Sequence, residues 1–198
     1  SGRSKDFNAF IEGFYDQPHT LAEEMEWLVK QGPNCPALLD HLAQRGNEYH
    51  VIIFYTYLYS PTVLGLPLVA DRSLLVPTAH DEPAIRLSIF KKLFALPSHM
   101  VFLSSTEERL VRRLFANEHI PGTVVGTGID RPAREPQAHR FRERFRVSGD
   151  FLLYMGRVEG GKGCSELVEF FCRYKSRFPK GPDLVLLGRV NMPLPERP

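Results

Sequence analysis

The octapeptide Gly156-Arg157-Val158-Glu159-Gly160-Gly161-Lys162-Gly163 follows the apolar run Phe151 to Tyr154 and precedes a helical pattern from Ser165 to Phe178. Glycines in such a turn let the backbone approach a ligand. The helix start offers N–H groups and a positive dipole end, and Arg157 and Lys162 add two full charges. Together they describe a phosphate site; the simpler reading is a strand-to-helix turn whose Arg and Lys face water. Gly156 through Lys162 has the G-x-x-x-x-G-K spacing of a P-loop, but Gly163 stands where the metal-binding Ser or Thr belongs. Asp183, the nearest acidic metal partner for such a loop, lies before its strand and not after it. Gly126-Thr127-Gly128 lacks the third glycine of a dinucleotide fingerprint, and Arg131-Pro132 follows where a helix should begin.

Other residues could also meet a ligand. His80 follows a short apolar strand, Ser73 to Val76, and is either a site residue or a solvent-facing or core histidine near a turn. Asp81 and Glu82 are expected to cap the helix that follows. In Phe54-Tyr55-Thr56-Tyr57-Leu58-Tyr59, Tyr57 and Tyr59 lie near the carboxyl end of a strand and are candidate ligand contacts, as is Glu159 in the glycine-rich turn. Cys35, Cys164 and Cys172 have no metal-like spacing and are expected to be unpaired, small core residues, and no metal site is expected.

These residues need elements to position them. Leu21, Met25 and Leu28 recur at helical spacing, with Thr20, Glu23 and Glu24 as a capped start. Pro36 to Gln44 predicts a second helix ended by Gly46. Val51 to Tyr55 is β-branched and aromatic without alternation, which predicts a strand covered on both faces. The alternation continues with strands at Ser73–Val76, Met100–Leu103 and Thr123–Val125, and helices over Ala84–Leu96 and Thr106–Ala116 with Leu110, Leu114 and Phe115 inward. Strands separated by helices predict an α/β fold with parallel sheets. Residues 131–149 read as an Arg-rich linker carrying Pro132, Pro136 and a short helix around Phe141 and Phe145. Beyond it a strand-turn-helix-strand unit runs to Leu187, and the chain ends in Pro193, Pro195 and Pro198. The expected division is 1–130, linker 131–149, and 150–198, the last an incomplete unit.

Four segments in this order resemble a known family. Tyr154-Met155-Gly156-Arg157-Val158-Glu159 with Lys162-Gly163, followed by a helix and Leu184-Val185-Leu186-Leu187-Gly188, is similar to the opening of the C-terminal domain of a family-four glycosyltransferase of the GT-B type. Pro77-Thr78-Ala79-His80-Asp81-Glu82 resembles the family's His-Asp segment, Ser104-Ser105-Thr106-Glu107 its Ser-x-x-Glu helix start, and Val125-Gly126-Thr127-Gly128-Ile129-Asp130 the turn closing its N-terminal domain. The resemblance implies two Rossmann-like units, the second truncated, and a presumed retaining hexosyltransferase making a glycan or cell-surface polysaccharide. Gly156, Arg157, Lys162 and Gly163 would bind the diphosphate of a nucleoside-diphosphate sugar, and His80 would be the catalytic residue beside the reacting sugar. No cofactor or metal would be required. The partner accepting the sugar would be a sugar or lipid-linked acceptor. The family's first strand with its glycine-rich loop and its downstream Glu-x7-Glu segment have no counterpart here, so the sequence reads as an internal piece, expected to be inactive alone. A P-loop-like phosphohydrolase and a non-catalytic phosphate-binding module are the alternatives.

The chain has 198 residues, 43 % hydrophobic and 24 % charged, which excludes disordered, collagen-like and coiled-coil classes. Up to Asp130 there are 11 basic against 15 acidic residues, and beyond it 14 against 8, an asymmetry that favours an anionic ligand in the second half. No nucleic-acid partner is expected. No apolar run approaches the roughly 20 residues of a spanning helix, and a cytoplasmic location is expected. Arg140, Arg142, Arg144 and Arg146 around Phe141 and Phe145 could make a peripheral contact with an anionic membrane, at the inner face of the cell membrane; a solvated helix packed on its own domain is the favoured reading.

Overall fold

The structure, a computed structural model, describes residues 5–131, 135 and 137–195; Pro132, Pro136 and Pro198 lie outside them. The chain divides into two units, 1–129 and 130–198. Unit 1 begins with a short helix α1 (Phe7–Ile11) and continues with α2 (Leu21–Gln31) and α3 (Pro36–Arg45). A capping box starts α2: the Thr20 hydroxyl accepts from the Glu23 amide and the Glu23 carboxylate accepts from the Thr20 amide at 2.6 Å, which holds that carboxyl below its ordinary range. The buried residues of α2 are Glu24, Trp27, Leu28 and Gln31, while Leu21 is exposed. The apolar spacing marked the helix and, through Leu28 and the half-buried Met25, part of its inner face, but the polar Glu24 and Gln31 that complete that face lie outside an apolar pattern.

Four strands follow: β1 (Ile52–Tyr55), β2 (Ser73–Val76), β3 (His99–Phe102) and β4 (Gly122–Val124). Between them lie α4 (Ser60–Gly65), α5 (Ile89–Leu93) and α6 (Ser105–Phe115). The strands form one parallel sheet in the order β1-β2-β3-β4. The chain therefore steps in one direction across the sheet, and right-handed crossovers in one direction place their helices on one face. That face carries Phe54, Leu75 and Met100, which share a register row and are buried with Trp27, Phe90 and Phe94. The other face carries Ile53 and Tyr55, both more than half exposed. This corrects the expectation that β1 is covered on both sides: it is an edge strand with one open face.

The expected helix over Ala84–Leu96 is broken. A 3-10 turn (Pro83–Arg86) precedes α5, and the break is held by a buried carboxylate from α2. Glu24 accepts from the Ser88 amide, the Ser88 hydroxyl and the Ile89 amide at 2.7–2.8 Å, satisfying the first N–H groups of α5. Asp81 and Glu82, expected as caps, make no side-chain cap here.

Unit 2 contains α7 (Ala138–Phe145), β5 (Phe151–Met155), α8 (Cys164–Arg177) and β6 (Asp183–Leu187), with β5 and β6 parallel. Among its described residues only Val158 and Cys164 are buried. Phe141 of α7 stacks on Phe151 at 5.5 Å and Arg142 lies 5.0 Å over the same ring, so the Arg-rich helix packs on its own unit. Of the three free cysteines only Cys164 fits the expectation of a core residue; Cys35 is exposed and Cys172 half-buried. No described helix is long and apolar enough to cross a membrane.

Candidate functional site

In unit 1 the carboxyl ends of β2 and β3 open into a cleft of about 430 Å³ lined by Thr78, His80, Asp81, Thr106, Arg109 and Arg113 among others. This is the end at which parallel sheets bind ligands. The chain leaves β2 through Thr78 at φ 50°, an uncommon conformation for a residue with a branched side chain, and so turns sharply to expose His80. The rim is held by Glu107. Its carboxylate is buried, with one oxygen accepting from the Ala79 amide and the other from the Leu103 amide, both at 2.7 Å. One side chain thus ties the loop after β2 to the loop after β3. Ser104 caps α6 by accepting from the Glu107 amide at 3.1 Å, which aims Glu107 back at those loops. The sequence marked Ser104 and Glu107 as a helix start; that the carboxylate serves two loops could not be read from spacing.

His80 is exposed, and its ring takes no hydrogen bond from the described residues. Asp81 pairs with Arg86 at 2.6 Å and more weakly with Arg113 at 3.9 Å. The Arg86 hydrogen bond holds its carboxyl below the usual range. Tyr59 is half-buried. Tyr57 is placed differently from its expected role as a ligand contact: it is 1 % exposed, packs edge-on to Phe90 at 4.8 Å, and donates its hydroxyl to Glu82 at 2.7 Å. Burial, then the Glu82 carboxylate, pushes its phenol well above the ordinary range near 10. The folded state therefore retains a proton that the unfolded chain releases, so stability present below about pH 10 is lost as pH rises beyond it. Tyr57→Phe should flatten that alkaline loss in denaturant titrations between pH 9 and 11, at a cost of about 1 kcal/mol at neutral pH for the lost hydrogen bond. An unchanged alkaline slope would contradict the assignment.

In unit 2 the glycine-rich turn follows β5. Gly156 and Gly188 stand side by side at the ends of the paired strands, and Val158 forms a bridge to Val190. Residues Gly160–Lys162 make a 3-10 turn, and Gly163, at φ 71°, is the N-cap of α8. The amides of Lys162 and Cys164 donate to the Glu159 carbonyl and that of Gly163 to Gly160. These three N–H groups are used within the turn, which leaves the first-turn amides of Ser165 and Glu166 and the side chains of Arg157 and Lys162 as the donors for an anion. Arg157 and Lys162 are both exposed. Arg157 contacts Glu159 at 3.3 Å, and Glu166 adds a second carboxylate in the first turn of α8. The Arg157–Glu159 pair is solvent-exposed on the arginine side and worth little, so a phosphate could take the guanidinium at small cost. Asp183 sits at the start of β6, paired with Lys175 at 2.8 Å, at the opposite strand end from the turn.

No family model matches the chain, and no curated protein sequence matches it.

Proposed function

We propose that the chain is part of a GT-B-type glycosyltransferase that moves a hexosyl group from a nucleoside-diphosphate sugar to a hydroxyl acceptor. The observation that carries this reading is in unit 1. Two segments that resemble the family, His80's and Ser104–Glu107, meet at one cleft because Glu107 bonds the Ala79 and Leu103 amides. The two parallel α/β units, each with loops at its strand ends, support it further.

In the proposed reaction the acceptor oxygen forms a bond to the anomeric carbon, the bond from that carbon to the diphosphate breaks, and the acceptor proton is released. Negative charge builds on the departing diphosphate. Arg157 and Lys162 would stabilise that charge more in the transition state than in the bound donor, which accelerates transfer. His80 would contact the reacting sugar, and a retained anomeric configuration follows from the family resemblance. The location proposed with it is cytoplasmic.

A P-loop hydrolase fits the turn less well. Such a loop aims successive backbone amides at the phosphates, whereas those of Lys162, Gly163 and Cys164 are bonded to carbonyls of the same turn.

Calorimetric titration with UDP and ADP, with magnesium and with a chelator, tests the proposal. One of the two should bind equally well under both conditions. Arg157→Ala and Lys162→Ala should each weaken binding about tenfold or more, as loss of a charge-assisted hydrogen bond does. Binding that requires magnesium would favour the hydrolase, and no binding of either nucleotide would refute the transferase reading.

A further inference from the structure

We infer that the cleft beside His80 takes a phosphate ester, and hence that the acceptor is phosphorylated; the word acceptor here rests on the transferase reading, the anion site does not. Thr106, Arg109, Leu110 and Arg113 recur along one face of α6 and all line the cleft. Arg109 and Arg113 are one helical turn apart, so their guanidinium groups can reach one phosphate from adjacent positions.

The competing charges in the cleft are already committed. Both Glu107 oxygens accept backbone amides and the group is buried. Asp81 is bonded by Arg86, which does not line the cleft. Among the described residues Arg109, by contrast, meets only the neutral Thr106 hydroxyl at 3.1 Å, and Arg113 reaches Asp81 only at 3.9 Å. Each guanidinium has five N–H donors, so most of theirs are open to a ligand, with the His80 ring beside them. Arg112 on the same helix shows the contrast, since it bonds the Asn117 carbonyl and covers the Phe102 ring at 5.4 Å. Ala79, Leu103 and Leu110 supply an apolar wall for the remainder of the ligand. A pair of arginines that can hold a phosphate by two-pronged hydrogen bonds, opposed only by the long Asp81–Arg113 contact, is a phosphate-recognition arrangement.

The phosphate could belong to a soluble sugar phosphate or to a phospholipid headgroup, and the test separates them. Glucose 6-phosphate and glucose are titrated into the full chain by calorimetry. Phosphatidylcholine vesicles with and without phosphatidylinositol are used in co-sedimentation. Glucose 6-phosphate should bind and glucose should not if the source is soluble; vesicle binding that needs phosphatidylinositol indicates the headgroup. In either case the double variant Arg109→Gln/Arg113→Gln should lose about tenfold or more in affinity, Arg109→Lys should recover part of it, and Arg173→Gln in unit 2 should leave it unchanged. UDP or ADP binding should survive the double variant. The inference is overturned if neither probe binds, or if the double variant binds as tightly as the parent. If phosphate-ester binding depends on the two arginines but no nucleoside diphosphate binds, the cleft stands and the transferase reading falls.

Discussion

Gly188→Ala should unfold unit 2 while leaving unit 1 intact. Gly188 has φ 153°, a conformation in which a side chain is strained, and an added Cβ would lie inside the van der Waals distance of the Gly156 carbonyl oxygen. The neighbour is backbone and cannot swing aside. Moving it would pull apart the ends of β5 and β6 where the Gly156 amide donates to the Leu187 carbonyl at 2.9 Å. Strain and steric overlap together amount to about 3 kcal/mol or more. Unit 2 has little to set against that, with only two buried residues among those described. Amide signals assigned to β5, α8 and β6 should collapse to unfolded shifts, and those of β1 to β4 should persist. Gly161→Ala serves as the control, because a Cβ there meets nothing within 4 Å. Native amide signals for both units in Gly188→Ala would show that the strand ends are not packed as described.

Glu107→Ala should destabilise unit 1 by about 3 kcal/mol and disable the cleft. The substitution leaves the Ala79 and Leu103 amides without their acceptor, and each hydrogen bond to a charged group contributes roughly 1.5–3 kcal/mol. The loss should appear in the denaturation midpoint. Glu107→Gln keeps an acceptor for one amide but turns an NH₂ toward the other, so it should fall between the parent and the alanine variant. The functional consequence follows from the same two bonds. Without them the loop carrying His80 is no longer tied to the loop before α6, and ligand binding in the cleft should weaken even under conditions where the variant is fully folded. A Glu107→Ala protein as stable as the parent would refute this.

The local sequence determined much of this protein. A β-branched and aromatic run located β1, apolar spacing located α2 and α6, the breakers Pro36 and Gly46 bounded α3, and Thr20 and Ser104 marked helix starts that the hydrogen bonds match. These features are local because hydrogen-bonded turns and pleats depend on residues a few positions apart. The place of His80 after a parallel strand was legible for the same reason.

What tertiary structure decided was coverage and pairing. Whether Ile53 and Tyr55 are buried depends on strand order and crossover handedness, and four parallel strands taken in sequence leave one face open. Whether an acidic residue is a solvated first-turn charge or a buried strap depends on amides far along the chain: Glu24 reaches 64 residues to Ser88, and Glu107 reaches 28 residues back to Ala79. Tyr57 sat at the ligand end of its strand by position, yet the space filled by Phe90 and Phe94 drew its ring into the core. Sequence spacing records which groups are present; the packed chain decides which of them a ligand can still reach.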